Sequence, residues 1–352
     1  MSGGVDSSVA ACLLQEQGHD VIGLFMRLGL ARLDPVTQVR TCCSLADAED
    51  ARSVADQLGI PFHVLNFKED FDRVIDQFCS EYLAGRTPNP CIRCNQELKF
   101  GKLLRFASTI PADAVATGHY VRLETAGGRR QLRRGVDERK DQSYVLFSLD
   151  QAQLAAARFP LGGLTKGEVR AIAKQRGLRT QDKAESQDIC FVPDGDYRTL
   201  LRERVGDRIM PGPIVDRGGQ VVGEHAGAAL FTVGQRRGLR LAAGVPRYVL
   251  GVDAARNTVV VGGDDELWQR ALLATDLNWI AIEKLTAPMR VEAKIRYQHA
   301  AAAALIEPVD GGRVRLTFDE PQRAITPGQA CVFYDGDVVV GGGWIERGCA
   351  VS

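Results

Sequence analysis

The chain has 352 residues, 45% hydrophobic and 25% charged, which is ordinary globular composition over a length that favours two or three domains. Its 44 Lys and Arg balance 44 Asp and Glu, so net charge gives no support to nucleic-acid binding, and any RNA surface must come from segregated patches. No apolar run nears the roughly 20 residues that span a bilayer and no charged-then-apolar leader opens the chain, so no membrane partner is expected. The nine cysteines are expected in a reducing cytoplasm, as free, catalytic or metal-bound thiols.

The chain opens on Met1-Ser2-Gly3-Gly4-Val5-Asp6-Ser7-Ser8, which runs into the apolar stretch Val9-Ala10-Ala11-Cys12-Leu13-Leu14. Two glycines before a helix start bring unpaired N–H groups and a partial positive charge close to a ligand, which suits an anion such as phosphate. A simple glycine turn with Ser or Asp as helix cap reads the same way. The string resembles the SGGxDS signature of pyrophosphatase-loop ATP enzymes, which cleave ATP between the α and β phosphates. Such a loop normally follows an apolar strand. None precedes Met1, and the expectation is that the true start lies about one strand upstream.

The first half then alternates strand and helix patterns. Val21 to Leu28 predicts a buried strand, and Ser44 to Asp47 a capping box for a helix with Leu45, Ala48, Val54, Ala55 and Leu58 on one face, closed by Gly59. Ile60 to Phe67 predicts a second buried strand, and Phe71, Val74, Ile75, Phe78 and Tyr82 fall at helical spacing. After a loop at 85–94, Asn95 is positioned to cap a helix carrying Leu98, Leu103, Leu104 and Ala107. Ala114 to Thr117 is a short strand ending in Gly118-His119, and Thr165 with Glu168 forms a further capping box, with Gly177 at the far end of that helix. The expected fold is α/β: a parallel sheet covered by helices over residues 1–200, with ligands at the carboxyl ends of strands.

Beyond residue 200 helical periodicity fades and Gly and Pro become dense. Val291, Ala293, Ile295 and Tyr297 alternate with Glu292, Lys294 and Arg296, and Val314, Leu316 and Phe318 with Arg315 and Thr317, as in half-buried antiparallel strands. Turns at Asp310-Gly311-Gly312 and Asp335-Gly336-Asp337 fit short hairpins. A small central domain over 201–265 and a C-terminal antiparallel β-barrel over 266–352 are therefore expected.

Two further segments carry chemistry. In Gly85-Arg86-Thr87-Pro88-Asn89-Pro90-Cys91-Ile92-Arg93-Cys94-Asn95 two prolines hold a loop extended before a helix, and Cys94 beside that start is expected to have a lowered thiol pKa. A lone C-x-x-C reads as redox pair, half a zinc site, cluster ligand or accident, and no matching second pair for zinc is visible. In Lys183-Ala184-Glu185-Ser186-Gln187-Asp188-Ile189-Cys190, a cysteine follows a polar turn among apolar residues; alone it reads as an inert core thiol. Cys12, Cys79 and Cys331 read as core, Cys349 as a tail thiol, and Cys42-Cys43 stay undecided.

Together these segments resemble the bacterial and mitochondrial tRNA-specific 2-thiouridylases over essentially the whole chain. Ala116 to Tyr120, Lys140-Asp141-Gln142-Ser143-Tyr144, Thr232 to Leu239 and Thr326-Pro327-Gly328-Gln329 add to the match. The resemblance implies a cytoplasmic enzyme that uses ATP with Mg2+ to adenylate the C2 oxygen of a wobble uridine and then places sulfur there. ATP would lie on Met1 to Ser8, with Met26 and Gly118 on the adenine and ribose side. Cys190 would carry a persulfide supplied by a sulfur-donor protein or relay, and Cys94 would assist and end in a disulfide with it. Asn89, Pro90 and Cys91 match positions at the target base. His119, Lys140, Asp141, Gln142, Arg296, Tyr297 and Gln329 match or neighbour positions at the tRNA, whose single-stranded anticodon loop lets a base be splayed into a pocket. The clusters Arg129-Arg130, Arg133-Arg134 and Arg236-Arg237 with Arg240 could meet phosphates or be solvated faces.

Many relatives carry Asp where this chain has Cys91. Cys91, Cys94 and Cys190 could then hold a [4Fe–4S] cluster, as an alternative to the persulfide route. Two other classes stand beside these readings: a ligase or amidotransferase acting on a small molecule, and a non-catalytic tRNA-binding module that retains the loop.

Overall fold

A computed structural model of the chain describes residues 1–29, 45–183, 189–192, 195–241 and 245–349. The described residues fall into two compact units. Met1–Val74, Cys91–Asp196 and Asp337–Val339 bound the first; Ile75–Pro90, Tyr197–Gly336 and the residues from Val340 bound the second.

In the first unit Gly4 is extended (φ −95°, ψ 162°) and helix α1 runs Val5–Glu16. Strand β1 (Gly23–Arg27), helix α2 (Leu45–Leu58) and strand β2 (Phe62–Asn66) follow, with β1 parallel to β2 and Gly23 opposite Phe62. Helix α3, Lys68–Leu83, begins in the first unit and passes into the second after Val74. Helix α4 (Pro90–Arg93) continues without a break into a π-helical stretch, Cys94–Lys102, and helix α5, Leu103–Ala107. Strand β3 (Val115–Ala116), the hairpin β4 (Val121–Ala126) and β5 (Arg129–Arg134), helix α6 (Gln151–Ala155), strand β6 (Ala157–Arg158) and helix α7 (Lys166–Gln175) complete the order. Strand β3 is parallel to β6. Val5, Val9 and Ala10 of α1, Val54 of α2 and Val169 and Ala173 of α7 share one core.

The capping box Thr165–Glu168 and the left-handed Gly177 bound α7 as the sequence predicts, and Phe71, Val74, Ile75, Phe78 and Tyr82 are all buried. Three expectations fail. Leu45 is 76% exposed: nine residues at about 100° each put it opposite the buried Val54. Strand β2 pairs only with β1 among the described residues, and Val64 is 45% exposed where a buried strand was expected. Asn95 is no cap, because the helix begins five residues earlier at Pro90, whose missing N–H costs nothing in a first turn. The expected box at Ser44 and the pair Cys42-Cys43 lie outside the described residues.

The second unit holds helix α8 (Tyr197–Val205) and a four-stranded sheet of β7 (Gly212–Asp216), β8 (Val221–His225), β9 (Tyr248–Asp253) and β10 (Thr258–Gly262), ordered β8-β7-β10-β9. Strands β11 (Trp268–Trp279), β12 (Met289–Lys294), β13 (Ala302–Val309), β14 (Arg313–Arg323), β15 (Ala330–Asp335) and β16 (Val338–Cys349) run β11-β14-β13-β12-β15-β16. Strand β16 pairs back onto β11, with Ala274 opposite Ile345, and this closes a barrel without open edges. The alternation read in the sequence fills it: Val291, Ala293, Ile295, Val314, Leu316 and Phe318 are buried in one cluster. Gly311, Gly312 and Gly336 take the left-handed conformation that the two turns require.

Candidate active site

The opening loop meets the requirements of an anion site. No side chain caps α1, so its first-turn N–H groups are not taken by a cap. The hydroxyls of Ser7 and Ser8 turn inward and donate to the Gly4 carbonyl at 3.1 and 2.9 Å, while Ser2 N donates to Ser7 Oγ at 3.0 Å. Gly3 is left-handed (φ 71°), and a Cβ there would strike the Asp47 carbonyl at the start of α2. A Cβ at Gly118 would meet Asp6 and Ser7 at 2.8–2.9 Å, so the end of β3 packs directly on the loop. Met1 donates from its amino group to the Leu24 carbonyl, and Met26 is half-buried in β1.

Asp6 does not face outward with the loop. Its carboxylate accepts from Lys166 Nζ at 2.7 and 2.9 Å and from the Tyr120 hydroxyl at 2.6 Å. Lys166 is 9% exposed, and its backbone N–H donates to Asp137 at 2.9 Å. A lysine in the first turn of a helix opposes the helix dipole, and this misplaced cation was the available sequence signal that it has a buried partner. Tyr120 is fixed in turn: its N–H donates to Gln142 Oε1 at 3.0 Å. Asp141 is buried and accepts from Gly135 N, Ser143 N and Ser143 Oγ. Asp141 and Gln142 therefore build the support behind Asp6, while Lys140 is half-buried.

Cys94 starts the π-helical stretch, a full turn beyond the helix start. The dipole that was expected to lower its thiol pKa acts only within the first turn, where Cys91 sits, exposed. Burial instead pushes the Cys94 thiol up; Lys99 pulls it down and Glu97 adds to the rise. His119 is buried between the rings of Phe100 and Phe159, with Nδ1 2.7 Å from Thr117 Oγ1. Burial, with Lys99 nearby, holds its imidazole well below the usual range. Cys190 is half-buried, and its neighbour Phe191 packs edge-on against Phe71 at 5.7 Å. Lys183 anchors the start of that segment to Asp47 and Asp50 at 2.6 and 2.7 Å; residues 184–188 lie outside the described part. Cys94 and Cys190 belong to the same unit, and neither is in a disulfide.

Among the described residues no group of three His, Cys, Asp or Glu side chains is gathered to hold a metal. Magnesium needs no such cage, since it commonly arrives with phosphates and its own waters.

In the second unit the loop before Cys91 is clamped to a barrel turn. Gln329 Nε2 donates to the Thr87 and Pro88 carbonyls at 2.8 and 3.3 Å, and Thr87 N donates to the Pro327 carbonyl at 2.8 Å. Gly328 (φ 87°) packs where a Cβ would meet Thr87 N at 2.9 Å. Asn89 is half-buried and Pro90 buried. Arg296 donates to the Arg323 and Ala324 carbonyls, beside a half-buried Tyr297. Of the arginine clusters, Arg236, Arg237 and Arg240 are exposed, whereas Arg133 pairs with Glu124 and Asp337 at 2.9 Å.

Residues 1–194 match the tRNA methyl transferase HUP domain family, 198–263 its PRC-barrel domain and 269–345 the aminomethyltransferase β-barrel domain. An α/β domain of this kind, followed by a small mixed sheet and a closed barrel, defines a tRNA-modifying enzyme. The chain is 55% identical to the tRNA-specific 2-thiouridylase MnmA of Geotalea uraniireducens (strain Rf4), over 99% of this chain and 94% of that one. It is also 55% identical to that of Heliobacterium modesticaldum, over 99% and 91%, and 52% identical to that of Moorella thermoacetica, over 98% of each. The chain belongs to the tRNA-specific 2-thiouridylase family. Among solved structures it is similar to the U34-tRNA thiolase NcsA from Methanococcus maripaludis with its [4Fe-4S] cluster at a TM-score of only 0.35, with 20% identity over 59% of this chain and 66% of that one.

Proposed function

We propose that this enzyme, which 2-thiolates the wobble uridine of tRNA, does so by ATP-dependent adenylation followed by transfer of a persulfide sulfur through Cys190 and Cys94. The observation that carries the reading is the uncapped start of α1 behind the Gly3-Gly4 turn, which offers backbone donors to a phosphate. Met1 to Ser8 would hold the triphosphate with Mg2+, and Met26 and Gly118 would border the nucleoside. The uracil C2 oxygen attacks the α-phosphorus, the bond to the β-phosphate breaks and pyrophosphate leaves.

The terminal sulfur of a Cys190 persulfide then adds at C2 and expels AMP. Attack by the Cys94 thiolate on Cys190 Sγ breaks the S–S bond, releases the 2-thiouridine sulfur and leaves a Cys94–Cys190 disulfide for an external reductant. Lys99 favours the thiolate that this step needs. His119, held neutral, would line the base side with Asn89, Pro90 and Cys91. Arg296, Tyr297, Gln329 and Lys140 would meet or support the anticodon loop. We also propose the division 1–200, 201–265 and 266–352 as catalytic, central and barrel segments, and a cytoplasmic site of action.

A small-molecule ligase would explain neither cysteine segment. A non-catalytic module would bind tRNA without releasing pyrophosphate. The test is pyrophosphate release with ATP and unmodified tRNA: dependence on both is expected, and its absence with intact tRNA binding would leave only the module.

A further inference from the structure

Cys94 stands at the head of nine π-helical residues, Cys94–Lys102. In this register backbone N–H groups pair with carbonyls five residues back, as Leu103 N does with Leu98 O. Such stretches are rare and lose to the α register unless something outside the helix selects them. Two features converge here on one carbonyl. Gln153 Nε2 donates to Gln96 O at 3.1 Å and to Phe100 O at 2.9 Å, and a Cβ at Gly101 would lie 2.9 Å from the same Gln96 O. The orientation of the Gln153 amide is fixed by its partners. Its oxygen accepts from Asp150 N at 3.0 Å in the capping box of α6, so both N–H bonds go to the π-helical carbonyls.

The register has a consequence for the thiol. In an α-helix residues five apart diverge by about 140° around the axis, whereas in a π-helix they are stacked neighbours. Lys99 is five residues from Cys94; burial pushes the Cys94 thiol up, and the Lys99 charge opposes that rise.

We propose that Gln153 is a positioning residue for Cys94: with Gly101, it holds residues 94–102 in the π register and so sets where Lys99, five residues on, stands around the helix relative to Cys94. The inference rests on the reading of Cys94 as a sulfur-transfer thiol for its functional meaning, but not for its test. Gln153→Glu keeps the oxygen that caps α6 and turns a carboxylate towards two carbonyls, so it breaks the ties alone. Gly101→Ala displaces Gln96 O by a second route. Asp150→Ala removes the capping box and leaves both ties.

In the full-length protein, iodoacetamide labelling of Cys94 is followed across pH by site-resolved mass spectrometry, with Cys91, ahead of the π stretch, as internal reference. The expected result is that Gln153→Glu and Gly101→Ala slow Cys94 labelling at neutral pH by about threefold or more and move its midpoint to higher pH. Cys91 in those variants, and Cys94 in Asp150→Ala, should keep the wild-type profile. An unchanged or lowered Cys94 midpoint in folded Gln153→Glu would overturn the proposal, and Gly101→Ala decides it in the same way should the first variant not fold. Thiolation by Cys94→Ala at the wild-type rate would remove Cys94 from the reaction and leave the labelling result standing.

Discussion

Asp6 and Lys166, 160 positions apart, form one charge pair at the opening Gly3-Gly4 loop, closed at 2.7 and 2.9 Å and joined by the Tyr120 hydroxyl at 2.6 Å. The acid of the opening loop is thus the counter-ion of a buried lysine. Its carboxylate ties the start of α1 to the start of α7 and to the support built by Asp141 and Gln142.

Removing one partner leaves the other charge buried. Because the Asp6 side chain is 34% exposed, Asp6→Ala should cost about 2–3 kcal/mol, below the loss expected for a fully buried pair. It should abolish pyrophosphate release while tRNA affinity stays within about threefold. The double variant Asp6→Ala/Lys166→Met should recover most of the stability without recovering pyrophosphate release. Denaturant titration and the release assay on the same samples check this; normal release from Asp6→Ala would remove the loop from ATP binding.

Cys190→Ser should form no 2-thiouridine and still adenylate tRNA, since serine cannot carry a persulfide sulfur while activation of the uracil oxygen needs no thiol. Rapid quench with α-labelled ATP should trap label on the tRNA. Thiolation at the normal rate would make Cys190 a packing residue.

His119 gives stability a pH dependence of definite sign. Its folded-state pKa lies well below the usual value of about 6.5, so between the two the unfolded chain binds a proton that the native one excludes. The contribution is complete above pH 6.5 and is lost as pH falls below it. Thermal melts from pH 7.5 to 5.5 should decline more steeply for the wild type than for His119→Gln. Parallel curves would show that the imidazole is not held neutral.

Gln329→Glu should release the loop ahead of Cys91, because the carboxylate offers no donor to the Thr87 and Pro88 carbonyls. Hydrogen exchange in peptides spanning residues 84–90 should speed up by about tenfold, with the barrel strands unchanged. Unaltered exchange there would show that Gln329 does not clamp the loop.

Much of this was legible in the sequence, and the failures share a cause. Barrel strands announce themselves because Val314, Leu316 and Phe318 alternate with polar residues, and α7 because Thr165 and Glu168 make its cap locally. Those signals involve neighbours. The Asp6–Lys166 pair, the Gln153 ties and the Gln329 clamp join residues far apart, and polar side chains carry no periodicity that marks a distant partner. Cys94 was misjudged for a related reason: its electrostatics depend on where the helix starts, and Pro90 starts it five residues earlier than Asn95 suggested. The motif residues Asp141, Gln142 and Arg296, matched to tRNA positions, hold backbone groups within the protein, so a motif can mark support as well as contact.

The most direct test of the central claim is nucleoside mass spectrometry of tRNA incubated with ATP, a persulfide donor and chelator-treated protein of recorded iron content. The account predicts ATP-dependent 2-thiouridine from iron-free wild type and from Cys91→Asp, and none from Cys190→Ser. Activity only in protein that carries iron after anaerobic reconstitution, with Cys91→Asp losing iron and activity together, would contradict it and make Cys91 a cluster ligand.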